Sequence, residues 1–215
     1  MSGIQQMLTG GTYKAPPPTT IGQAYGGGFY AGQISTAGTG VADYYLIVAP
    51  KSSGETSDSF GTFGVVTGFT SVINGSANSA GEASLGSDYH AALFCEGLSI
   101  GGYNDWYLPA KNELEVLYYF LKPTTDANNV QYGSNANAVS PEPINTNYSE
   151  SSPAQTSVVA FQTGGAEALD GYLYFSSTER TSTNVWGQYF TTGNQNDSCD
   201  KRSVLSIRAV RKVPV

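Results

Sequence analysis

The stretch that decides the fold runs from Gly101 to Leu121, GGYNDWYLPAKNELEVLYYFL. Two glycines break any helix before it. Asp105, Trp106, Tyr107, Leu108 and Pro109 follow as a short, stiff passage with a large apolar content. Pro109 stands where a helix begins, and its missing N–H costs nothing there because first-turn donors have no intrahelical partner. Leu114, Leu117, Tyr118 and Leu121 recur at i, i+3, i+4 and i+7, the stripe of an amphipathic helix. Glu113 and Glu115 lie near its start, where the helix dipole favours carboxylates. Lys122 and Pro123 end it. A buried Trp beside a proline-started helix pins a corner of a fold. Trp106, Leu108, Pro109 and Leu114 are therefore expected as structural anchors, with no catalytic part.

Working outward, the helix before this corner is expected over Ser87–Ile100, SDYHAALFCEGLSI, capped by Ser87 or Asp88 and closed by Gly101. Upstream, Tyr25–Ile34 reads as a glycine-punctuated strand and Asp43–Pro50, DYYLIVAP, as a stronger one. Ser52–Gly86 is polar and glycine-rich, with an apolar island at Phe60–Phe69. Downstream, Thr124–Asp170 is a long polar connection, expected to be an ordered excursion or a binding loop. Strands are expected at Gly171–Ser176, Asn184–Thr191 and Ser203–Lys212. Strands, then helices, then strands make a segregated α+β pattern. Residues 1–22, with Pro16-Pro17-Pro18, read as an extended arm that anchors an assembly, and 23–215 as one domain.

Composition narrows the function. Among 215 residues only 13% are charged, there are 15 Tyr, and the net charge is −7. A surface that tracks nucleic-acid phosphates is not expected. No Lys or Arg falls between Lys51 and Lys111 or between Lys122 and Arg180. The late cluster Lys201, Arg202, Arg208, Arg211 and Lys212 reads either as a patch for an acidic partner or as internal pairing with carboxylates. No basic, apolar and small-residue leader opens the sequence, and no run has the ~20 apolar residues of a membrane span, so neither a secretory signal nor membrane insertion is expected.

Catalytic chemistry finds little footing. A Ser–His–Asp site would need His90, which sits inside a helix. Glu179, Asp197 and Asp200 have no spacing that singles out an acid/base pair, and Glu179 reads as structural. Asn194 to Asp200 offers oxygen ligands, so Ca²⁺ is conceivable, with no other cofactor expected.

The blocks together carry a resemblance. GGYNDWYLPAKNELEVLY, preceded by Ala91, Ala92 and Cys95, resembles the signature of a C-type-lectin-like family of uncharacterised function. That family occurs in phage virion proteins and at the C-terminus of bacterial collagen-like adhesins. Tyr25 to Gly28, Val72 to Asn78, Tyr174 to Glu179, Val185-Trp186, Phe190, Gly193 and Ile207 to Arg211 resemble its other blocks, in order. Where the family often has Ser or Thr, this chain has Ala110, which weakens the helix start by about 1 kcal/mol.

The resemblance implies a C-type-lectin-like fold: twisted antiparallel sheets, two flanking helices, first and last strands paired, and long loops. It implies a non-enzymatic virion structural protein of tail, fibre or capsid decoration, assembled in the host cytoplasm with other virion proteins and its own copies. Its lectin-like surface would bind host-surface polysaccharide or protein. The alternative is a glycan-binding adhesin domain on a bacterial surface. The ligand face is expected on Asn184, Trp186, Gln188, Tyr189, Asn194, Gln195, Asn196 and Asp197, where short polar side chains and tyrosines make adaptable contacts. By analogy with animal C-type lectins, Cys95 and Cys199 could pair; otherwise Cys95 is a buried free thiol.

Overall fold

Leu46, Ile47, Val48 and Ala49 are all fully buried, and alternate residues enter two different cores. The computed structural model, which describes residues 16–139 and 141–215, is built around that strand. Strand β1 (Ala24–Tyr25) turns into β2 (Gly28–Ile34), followed by β3 (Tyr44–Val48). A four-residue helix α1 (Lys51–Gly54) leads to β4 (Glu55–Asp58). Helices α2 (Gly75–Ser84), α3 (His90–Glu96) and α4 (Lys111–Leu121) come next. After a long excursion with one 3₁₀ turn (Val159–Phe161) come β5 (Leu173–Glu179), β6 (Asn184–Tyr189), β7 (Gln195–Asp200), β8 (Leu205–Arg208) and β9 (Val210–Pro214).

The chain is α+β, with two sheets. The first has the order β1-β2-β3-β9 and is antiparallel; the second has the order β4-β8-β5-β6-β7 and is antiparallel except for a parallel pairing of β5 with β8. No helix among the described residues is long and apolar enough to cross a membrane.

Several expectations need correction. The strand expected over Tyr25–Ile34 is a hairpin. Gly26 and Gly27 both have positive φ (57° and 85°), the pairing that a two-residue turn requires and that only glycine adopts freely. The last strand pairs with β3, Tyr45 opposite Val213, and not with the first strand. The strand expected over Ser203–Lys212 is divided at Ala209 between the two sheets, because Ile207 and Ala209 enter one core and Val210 the other. The helix expected over Ser87–Ile100 is shorter: Tyr89 stands at its N-cap without a side-chain cap, and Gly97 ends it.

Two flanking helices were expected, and α2 adds a further one. Its sequence, GSANSAGEAS, has no apolar stripe; it buries Asn78, Ser79 and Glu82. Asn78 Nδ2 donates to Ser71 O at 2.7 Å, and Ser79 Oγ accepts the Leu108 N–H at 3.1 Å. A helix packed through polar atoms is invisible to hydrophobic periodicity.

The corner at Trp106 ties these parts together. Tyr107 exchanges backbone hydrogen bonds with Val210 of β9 (2.8 and 3.0 Å). Ser177 N–H of β5 donates to Pro109 O at 2.8 Å, and Lys111 N–H donates to Thr178 Oγ1 at 3.0 Å. Pro109 lies before the N-cap, which is Ala110, so it is not the first helical residue. Ala110 N–H donates to Glu113 Oε2 at 2.8 Å, the half of a capping box that needs no side chain at the cap. Trp106, Leu108 and Leu114 are buried.

Of the expected arm, residues 1–15 lie outside the described residues. Within 16–22, Pro18 is buried and Gly22 N–H donates to Tyr30 O at 2.8 Å.

Candidate functional site

The eight residues expected to face a ligand lie on the β6–β7 hairpin, and Gln195–Asp200 is itself a strand. The hairpin closes on Gly193 at φ 71°; a Cβ there would sit 2.4 Å from the Tyr118 ring. Tyr189 N–H donates to Asn194 O at 3.0 Å, and Gly193 N–H donates to Tyr189 O at 2.9 Å.

Burial separates the eight, since a register shift between Val185 and Gly187 interrupts the alternation. Gln188 and Gln195 are buried, which corrects their expected surface role; Gln188 Nε2 instead holds the turn by donating to Gly193 O at 3.0 Å. Trp186 is half-buried, with the Lys111 ammonium 4.3 Å from its ring centre, so that aromatic face already has a cation. Asn184 Oδ1 accepts from Thr183 Oγ1 at 2.7 Å at the other end of the hairpin. Asn196 Oδ1 accepts the Ser198 N–H at 2.7 Å, and Asp197 lies 3.6 Å from Arg180 Nε. Asn194 is half-buried in the turn. Tyr189 opens onto a cleft.

That cleft, about 430 Å³, lies across β4, β8, β5 and β6 and is lined by Ser57, Tyr172, Leu173, Tyr189, Val204, Leu205 and Ser206. Leu173 pairs with Tyr189 across β5 and β6, and Ser57 with Ser206 across β4 and β8. Tyr172 is 75% exposed and Val204 68%. Sequence reasoning missed every lining residue except Tyr189. The available signal was the sequence GYLYF at Gly171–Phe175: Tyr174 turns inward, its hydroxyl donating to Glu55 Oε2 at 2.9 Å, while Tyr172, one residue ahead of the strand, remains on the surface.

Elsewhere the polar groups engage one another. Lys201 is buried against Glu179 (2.6 Å), whose carboxylate also accepts the N–H groups of Thr67 and Gly68 (2.8 and 2.9 Å). Burial pushes the Glu179 carboxyl up, but these donors outweigh it and leave the group below its usual range. Arg208 is buried against Glu55 and Glu167 at 2.9 and 3.0 Å, and Arg211 meets Asp105 at 2.7 Å. Arg202 binds Asp200 at 2.8 Å. Lys212 lies over the rings of Tyr44 and Tyr107. Of the two readings of this cluster, internal pairing describes these contacts.

The oxygen-rich segment at 194–200 has its carboxylates committed to Arg180 and Arg202. Among the described residues, no group of three or more His, Cys, Asp or Glu side chains is arranged to hold a metal. His90 Nδ1 meets both Asp58 Oδ1 (3.0 Å) and Ser59 Oγ (3.1 Å). A catalytic relay requires these partners on opposite ring nitrogens, so this trio cannot relay a proton from Ser59 to Asp58. Cys95 and Cys199 are free buried thiols, not a disulfide. Burial pushes the Cys95 thiol well above its ordinary value and that of Cys199 up to about 12, so neither is a thiolate nucleophile at neutral pH.

Three of the six asparagines of the long excursion, Asn128, Asn135 and Asn137, are buried, while Asn145 and Asn147 are exposed. Asn128 Oδ1 accepts from Tyr118 Oη (2.5 Å) and Lys122 Nζ (2.7 Å), while its amide donates to Ser149 O and Pro153 O (3.0 and 2.9 Å). Asn135 Nδ2 donates to Glu115 Oε2 at 2.6 Å. Asn137 Nδ2 donates to Ser35 O at 2.7 Å. The described residues of 124–170 are thus tied down by hydrogen bonds, and the three buried asparagines offer no binding surface.

No protein-family model matches the chain, and no curated protein matches it.

Proposed function

We propose that this chain is a non-enzymatic, C-type-lectin-like surface module of a phage virion. It would assemble with other virion proteins and its own copies, and present the second sheet to host-surface glycan or protein. The observation that carries the recognition reading is the open cleft of Tyr172, Leu173, Tyr189 and Val204. Apolar and aromatic groups exposed together, beside hydroxyls, mark a contact surface. The sequence blocks from Tyr25 to Arg211 support the family reading. So do an α+β architecture and the burial of the Trp106 corner.

Two measurements test this. Mass spectra of purified particles should contain peptides of the chain; their absence would remove the virion reading. The full-length protein should sediment with host cell envelopes, and a Tyr172→Ala/Tyr189→Ala variant should not. Equal sedimentation of the two, or none by either, overturns recognition through this cleft.

A further inference from the structure

We propose that the cleft on the second sheet takes an uncharged saccharide segment, its rings lying against Tyr172 and Tyr189. This rests on the reading of the sheet as a recognition surface, and it names the ligand class.

The lining determines the class. Its floor and walls are Leu173, Leu205 and Val204, flanked by two tyrosines, with Ser57 and Ser206 at the β4–β8 side. None of the seven lining residues is charged. Two basic side chains stand two residues from the lining: Arg208 is buried in the interior, where Glu55 and Glu167 hold it, and Arg202 is held by Asp200. A uronic acid, sialic acid or phosphate entering the cleft would lose water and meet no cation, which is costly. A wholly apolar occupant would cover four hydroxyls (Ser57, Tyr172, Tyr189 and Ser206) without giving them partners. A neutral sugar chain answers both needs. Its C–H faces lie against aromatic and aliphatic groups, and its hydroxyls give and accept hydrogen bonds. Trp186, the aromatic a lectin-like reading of the sequence favours, is already covered by Lys111. Tyr172 and Tyr189 have no such cation over them among the described residues. The cleft volume, about 430 Å³, lies within the range of small-ligand sites.

The experiment titrates the full-length protein with neutral oligosaccharides of glucose, galactose and N-acetylglucosamine, and with matched oligosaccharides bearing uronic or sialic acid. Circular dichroism of each variant establishes that it folds. At least one neutral probe is expected to bind, with little change between low and high salt. Tyr172→Ala and Tyr189→Ala should each weaken it by about tenfold, the size of effect that defines a well-packed aromatic contact. Trp186→Ala should leave it within about twofold. Preference for the acidic probes, weakening with salt, overturns the ligand class and leaves the recognition reading standing. Binding to host envelopes with none to any sugar does the same. Sugar binding indifferent to both tyrosine variants overturns the cleft. Self-association that Tyr172→Ala abolishes would make the cleft a seam between copies and overturn the proposal.

Discussion

The excursion over residues 124–170 and the hairpin over 184–200 hold similar shares of Asn, Ser, Thr and Tyr, yet they use them in different ways. In the hairpin the backbone satisfies itself through the ladder, Asn184 opposite Asp200 and Gln188 opposite Gln195. Side chains on the outer face are then free to meet solvent or a ligand. The excursion has little ladder: one 3₁₀ turn and isolated bridges. Its buried backbone groups still need partners. Asn128 serves the carbonyls of Ser149 and Pro153, and Asn135 Oδ1 accepts the Asn137 N–H; the amides of Asn135 and Asn137 tie the excursion to Asn112 O of α4 and Ser35 O beyond β2. What decides whether a polar residue points in or out is thus whether the neighbouring backbone already has a partner.

The largest expected effect breaks the excursion. Asn128→Ala removes the acceptor of Tyr118 and Lys122 and the donor to Ser149 and Pro153, all in a buried setting. The loss should be about 3–4 kcal/mol in chemical denaturation, since a buried cation loses a partner. A loss below about 1 kcal/mol would mean that the asparagine is not buried as described.

A second change sharpens the contrast through pH. Glu142, from the excursion, is buried close to Glu115 of α4, which accepts from Tyr148 Oη and Asn135 Nδ2, both at 2.6 Å. Burial first, and then the Glu115 charge, push the Glu142 carboxyl well above the usual carboxylate range. A carboxyl raised on folding contributes its full stability below its unfolded value and loses it as pH rises toward the folded one. Stability from this site should therefore decline from about pH 4.5 upward. Glu142→Gln, which imitates the protonated acid, should flatten that decline and raise stability at pH 7 by about 2–3 kcal/mol. Parallel melting curves against pH for the two proteins would contradict this.

On the hairpin side the effects on folding should be small. Tyr172→Ala with Tyr189→Ala should cost about 1 kcal/mol of stability, because Tyr172 is exposed and Tyr189 half-buried, while removing envelope binding. Asn196→Ala should change stability by no more than about 0.5 kcal/mol, as an exposed local contact to Ser198 within β7 is lost. A multi-kcal loss in either would place these residues in the core.

The same distinction explains what was legible in the sequence. Helix α4 could be read from Leu114, Leu117, Tyr118 and Leu121, and β3 from its unbroken apolar run, because both bury hydrocarbon and so carry a period. Helix α2 was not legible, since its buried face is Asn78, Ser79 and Glu82. The split of the closing strand at Ala209 was not legible either, because the alternation of Ile207 and Val210 looks the same whether one core or two receives them. Of the candidate site, Tyr189 was found through its strand. Tyr172, Val204 and Ser57 were missed because only the pairing of β4 with β8 and β8 with β5 brings them together. Gln188 and Gln195 were misplaced for the reason the excursion teaches: composition says that a side chain can hydrogen-bond, and not with whom.

The most direct test is the exchange of side-chain amide protons with deuterated water, followed by NMR on the intact protein. The Asn128, Asn135 and Asn137 amides should be protected and exchange slowly, while that of Asn196, which donates no hydrogen bond within the described residues, should exchange at the rate of a free side chain. Fast exchange at all four, or protection at Asn196 equal to that at Asn128, would contradict the account.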